Sequence, residues 1–173
     1  MNIMAAVCVT KILQVPDHLI ESVVNRFKGL PHRLEYVGKF KGIHFYNDSI
    51  ATIPEATMHA VRVLKNVDTL ILGGVDRGID YQLLIDFLPG SGITNLILYG
   101  KAGERISEGL TKSGIPTDKK IFIISQFDEL PAIIRTHTLT DHVCLLSPAA
   151  ASYDLFKNFE ERGDAFKKIA ENL

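Results

Sequence analysis

Thr69-Leu70-Ile71-Leu72-Gly73-Gly74-Val75-Asp76-Arg77-Gly78 runs from an unbroken apolar segment straight into a glycine-rich turn. A half-exposed strand would alternate apolar with polar residues, so this run reads as a strand covered on both faces. The same unit recurs. Strands are expected at 69–72, 95–99, 121–124 and 142–146, separated by helices at 54–64, 81–87, 102–112 and 128–136. This is the βαβ signature of an α/β fold, a Rossmann-like and mainly parallel sheet with helices on both faces. Upstream, 34–40 and 43–46 flank Lys41-Gly42 and read as a hairpin. Downstream, a helix over 156–173 puts Phe159, Phe166, Ile169 and Leu173 broadly on one stripe and closes the chain.

Ahead of the sheet, the pattern predicts one helix over 3–13 and a second from Pro16 to Phe27, with proline suited to the first turn. The first is apolar or small on almost every side (Ile3, Met4, Val7, Cys8, Val9, Ile12), and such a helix expects burial. It also starts at residue 2 with no leading loop, as a piece cut from a larger protein would. The expected division is a two-helix segment over 1–30 and an α/β domain over 31–173.

At 173 residues, the chain has room for one compact domain and a small attachment. A net charge of −1, with no Lys/Arg stripe interleaved with aromatics, argues against a nucleic-acid partner. No apolar run approaches the roughly 20 residues that cross a bilayer, and no basic signal-peptide start is present, so a cytoplasmic location off the membrane is expected. Cys8 and Cys144 lack paired spacing and read as reduced core thiols. The six histidines have no metal-like spacing, so no metal site is expected within this chain.

In such a sheet, ligands bind beyond the carboxyl ends of the strands. Three loops qualify: Asn47 to Glu55, Gly73 to Gly78, and Ser147 to Ser152. Small residues let backbone amides approach a ligand, and Arg77 among glycines can aim a planar fork at a carboxylate or phosphate. Each loop also has a purely structural reading. Thr52 with Glu55 fits a capping box, Ser152 could cap the last helix, Asp48 could hold its own turn, and Arg77 could be merely solvated. There is neither GxGxxG nor a Walker A pattern. Local chemistry reaches an anion-binding α/β domain.

Taken together, Phe27 to Glu35, Tyr46-Asn47-Asp48-Ser49, Ala51-Thr52, Gly73 to Gly78 and Leu146 to Gly163 resemble the Mur ligases, and the last stretch resembles their D-glutamate-adding branch. The resemblance implies the third, Rossmann-like domain of an ATP-dependent ligase that adds D-glutamate to UDP-N-acetylmuramoyl-L-alanine in peptidoglycan synthesis. Residues 1–30 would be the end of the central ATPase domain. ATP and Mg2+ would be held mainly by domains not in this chain, which would carry no catalytic residue and be inactive alone. In the whole enzyme ATP phosphorylates the alanyl carboxylate and the glutamate amine attacks the acyl phosphate, so this domain's task is orientation. The resemblance places Thr52 and Arg77 on the glutamate α-carboxylate, and Ser152 and the Phe159 amide on the side-chain carboxylate. Arg33 and Asp48 would reach the nucleotide, Asp48 at the ribose hydroxyls. Ile50 stands where many of the family have lysine, which removes a cation and is compatible with another amino-acid choice, such as L-glutamate. The alternatives are a free-standing binding module for an anionic metabolite, or a tripeptide-recycling or folylpolyglutamate branch.

Overall fold

The computed structural model describes residues 2–114 and 119–173. The chain forms two compact units that divide between Leu30 and Pro31. In the first, α1 (Asn2–Ile12) is followed by α2 (Asp17–Arg26), with Pro16 in extended conformation just before α2. Ile3, Met4, Val9 and Ile12 are exposed, and Cys8 is exposed as well. The expectation that Cys8 is a core thiol therefore fails, because a helix apolar all round cannot bury every side against a single neighbour. Cys144 is buried, and burial pushes its thiol far above the usual range.

The second unit opens with β1 (Glu35–Phe40) and β2 (Ile43–Asn47), paired antiparallel. Lys41 and Gly42 turn between them with φ of 50° and 83°, the left-handed pair that a two-residue hairpin requires. Then come α3 (Pro54–Val63), β3 (Val67–Gly73), α4 (Gln82–Phe87), β4 (Asn95–Tyr99), α5 (Gly100–Ser113) and β5 (Lys120–Ile124). A 3-10 turn, Phe127–Glu129, leads into α6 (Leu130–His137), followed by β6 (Val143–Leu146) and α7 (Phe159–Glu171).

The strands lie in the order β1-β2-β6-β3-β4-β5, and every pairing from β2 to β5 is parallel. After β3 the chain steps outward through β4 and β5, then returns to insert β6 between β2 and β3. Loops diverge where the winding reverses, which is where open α/β sheets hold ligands.

Alternate residues of the central strands feed opposite cores. Leu70 and Leu72 of β3, Leu96 and Leu98 of β4, and Leu145 of β6 pack with Leu84, Ile106 and Leu110. Ile71, Ile97, Cys144 and Leu146 point the other way, to Phe127, Ile134 and Phe166. Each fully buried side chain of this size adds about 1.5–3 kcal/mol of transfer free energy. This two-sided burial is why β3 reads as an unbroken apolar run.

The last helix begins later than expected, at Phe159 rather than 156. Asn158 is extended, and its side chain accepts a hydrogen bond from the Glu161 amide at 2.8 Å. That cap ends the non-helical segment and starts the helix. Ser152 is therefore not its cap.

Candidate functional site

Because β2, β3, β4 and β6 are mutually parallel, their carboxyl ends share one edge, and the three loops singled out above all leave from it. They are tied together there. The Asp48 amide donates to the Leu146 carbonyl at 2.8 Å, Gly73 to Pro148 at 2.9 Å, and Val75 to Ala151 at 2.9 Å. Gly74 has a φ of 134°, and a Cβ on it would meet the Ala151 carbonyl oxygen at 2.1 Å. Only glycine lets these two loops lie against each other.

Asp48 does not hold its own turn. The Asx turn belongs to Asn47, whose Oδ1 accepts from the Ser49 amide at 3.1 Å. Asp48 is buried; Oδ1 accepts from the Leu34 amide at 3.1 Å and Oδ2 from the Ser147 hydroxyl at 2.8 Å. Burial pushes its carboxyl above the ordinary carboxylate range, against the opposing pull of Ser147, Leu34, Arg33 and His59. Between the ordinary and the raised value the folded state binds more protons than the unfolded one, so Asp48 makes stability fall as pH rises through that window. An Asp48→Asn variant should lack this decline. Urea midpoints measured from about pH 4 upward should shift in the variant's favour with rising pH and then level off; parallel curves would contradict the assignment.

The other expected residues carry unspent polar groups. Thr52 is half-buried, and the α3 cap position is Ile53, with no side-chain cap bond. Thr52 is thus not a capping residue; its proximity to Pro54 and Glu55 imitated the pattern. Ser152 is buried. Neither hydroxyl has a hydrogen-bond partner among the described residues. Arg77 and Arg33 are exposed, and neither makes an ion pair among the described residues. Phe159 is the first residue of α7, with its amide at the positive end of the helix. Ile50 is half-buried, its amide donating to the His32 carbonyl at 3.1 Å.

Several residues that sequence reasoning passed over organise this edge. Arg162 of α7 is fully buried and bonds to Ser49, Ala150 and Tyr99. Its signal was present, since 159, 162, 166 and 173 share one helical stripe and a charged residue on it must be buried. Burial pushes the Tyr99 phenol up to about 12, against the favourable Arg162 charge. Behind the Asn47 turn, the side-chain Nδ2 of Asn47 lies 2.9 Å from His32 Nδ1 and donates to Glu35 Oε2 at 3.0 Å. A crevice of about 570 Å³ opens on the β4 side of the same edge, lined in part by Gly74, Asp76, Gly100, Arg105, Ser125 and Asp154. None of the six residues expected from the resemblance lines it.

A mainly parallel sheet with a winding reversal, and polar groups left unspent on the loops at that reversal, defines a Rossmann-like α/β domain. No family model matches the chain. The UDP-N-acetylmuramoylalanine–D-glutamate ligase of Oenococcus oeni is 42% identical over 171 residues, covering 99% of this chain and 38% of that protein. The chain thus spans well under half the length of this relative. Among solved structures, MurF of Acinetobacter baumannii superposes with a TM-score of 0.73 at 20% identity, over 98% of this chain and 37% of that one. The bifunctional folylpolyglutamate synthase/dihydrofolate synthase of Yersinia pestis, complexed with AMPPNP and manganese, gives 0.64 at 16%, over 97% and 38%. Over 99% of its length the chain matches D-glutamate-adding Mur ligases, in the part that forms their C-terminal domain. Among the described residues, no helix is long and apolar enough to cross a membrane.

Proposed function

We propose that this domain binds the incoming glutamate of an ATP-dependent amide-bond-forming ligase that extends UDP-N-acetylmuramoyl-L-alanine in peptidoglycan synthesis. The observation that carries this reading is the set of unspent polar groups on one sheet edge: the Thr52 and Ser152 hydroxyls, the Arg77 guanidinium and the first amide of α7. A dicarboxylate needs two separate anion holders. Thr52 and Arg77 take the α-carboxylate; Ser152 and the Phe159 amide take the side-chain carboxylate. Held at both ends, glutamate presents its amine in one orientation, which is the entropic part of the catalysis. The similarity to the D-glutamate ligase of Oenococcus oeni supports D-glutamate over L-glutamate.

ATP supplies the phosphoryl group that makes the acceptor carboxylate electrophilic. Arg33, exposed and without an ion pair among the described residues, suits a phosphate. Asp48 is a poorer fit to ribose hydroxyls, since each of its oxygens already accepts a protein donor, although each keeps a further lone pair. The nucleotide and its divalent metal belong mainly to domains outside this chain, and residues 1–30 form the end of the central one. The exposure of Ile3 and Ile12 supports this, since a free-standing module would bury them itself. ATP and a UDP-linked precursor as substrates support a cytoplasmic location for the enzyme.

The test is ATP-dependent ligation of D- and L-glutamate to UDP-N-acetylmuramoyl-L-alanine, by the full-length protein and by this chain. Ligation of D-glutamate by the full-length protein alone is expected. Turnover by the 173-residue chain itself would refute the placement of the ATPase, and a full-length protein that prefers L-glutamate would refute the stereochemistry.

A further inference from the structure

Arg162 heads the fully buried side chains by size among the described residues, and all four of its hydrogen bonds go to neutral groups. Nε donates to the Ser49 hydroxyl at 2.9 Å and Nη2 to the Ser49 carbonyl at 2.7 Å. Nη1 donates to the Ala150 carbonyl at 3.1 Å and to the Tyr99 hydroxyl at 3.0 Å. Ser49 then returns a bond to the helix that holds it, its hydroxyl donating to the Phe159 carbonyl at 2.7 Å.

Every polar atom of Ser49 is thus spent inward: its amide on Asn47, its carbonyl on Arg162, its hydroxyl on both Arg162 and Phe159. A carbonyl can only accept, so the single hydroxyl proton points at Phe159 and a lone pair faces Nε, which leaves the side chain no rotational freedom. The guanidinium is a planar fork, so two bonds to one residue fix an angle as well as a distance. The loop after β2 and the first residue of α7 are clamped together.

Those are the two elements that the glutamate reading asks to hold opposite ends of the substrate. Resting on that reading, we propose that Ser49 and Arg162 form a buried positioning relay that sets the spacing between the Thr52 loop and the Phe159 amide, and so the length of dicarboxylate the site accepts. Glutamate and aspartate differ by one methylene. A site discriminates them on length only if its two anion holders cannot move toward each other. Ser49 offers a ligand nothing; it acts through Phe159 and Thr52, three residues along its own loop.

The experiment compares full-length wild type with Ser49→Ala, a change that removes one oxygen from a fully buried position. Four quantities are read: KM for glutamate, KM for ATP, the ratio of kcat/KM for glutamate over aspartate, and hydrogen exchange of the α7 first-turn amides. With the clamp opened, glutamate KM should rise about tenfold and the glutamate/aspartate ratio should fall about tenfold, the low end of what one methylene commands. ATP KM should stay put, and the first turn of α7 should exchange faster while β4 does not. Unchanged selectivity and exchange would overturn the relay, as would a fall in kcat with both KM values unmoved, which is simple loss of folded enzyme. A wild type that ligates no glutamate overturns the functional reading and the relay with it, and that failure is told apart because it occurs before any substitution.

Discussion

Arg162→Met should cost the α/β unit about 3–5 kcal/mol, read as a lower urea midpoint of helical circular dichroism. The Ser49 carbonyl, the Ala150 carbonyl and the Tyr99 hydroxyl would each lose the donor that serves them in a dry environment. A buried polar atom left without its partner costs about 1–3 kcal/mol. Part of that total is offset, because removing the arginine also removes a charge that folding must desolvate. Arg162→Lys should fall between, since an ammonium keeps the charge but cannot present a fork to three segments at once. A loss under about 1 kcal/mol for methionine, the size of an ordinary hydrogen bond, would mean that water or a shifted backbone serves these acceptors.

Arg77→Ala should do the reverse, leaving stability within about 0.5 kcal/mol while raising the glutamate KM of the full-length protein about 10- to 100-fold. The side chain is exposed and makes no ion pair among the described residues, so folding loses nothing with it. A charge-assisted hydrogen bond to a carboxylate is worth about 1.5–3 kcal/mol, and each 1.4 kcal/mol is a factor of about ten. Arg77→Lys should recover part of the loss. An alanine variant with unchanged glutamate KM would remove Arg77 from the site and leave Thr52 as the sole side chain on the α-carboxylate.

Where the sequence left alternatives open, it did so at helix ends and turns. Thr52 and Ser152 carry the residue types that cap helices, yet Ile53 and Asn158 occupy the cap positions. Local composition offers several candidate caps within a few residues, and the backbone path chooses one. Asp48 and Asn47 present the same problem, since either can close an Asx turn and only Asn47 does. The crevice beside β4 was invisible beforehand because its lining comes from four separate stretches of chain.

The amino-acid sequence by itself determined the alternation of strands and helices, the two-sided burial of the parallel strands and the hairpin at Lys41-Gly42. Periodicity and turn chemistry are local, and each rests on residues within a few positions of one another. It also carried the family resemblance, through five stretches in a fixed order. The tertiary structure alone decided that β6 inserts between β2 and β3, which brings Ser147 onto Asp48 across 99 positions of chain. It alone decided that Arg162 turns inward to clamp Ser49, 113 positions away. Hydrogen bonds of this reach depend on where the sheet reverses its winding, and no spacing rule within a single segment encodes that.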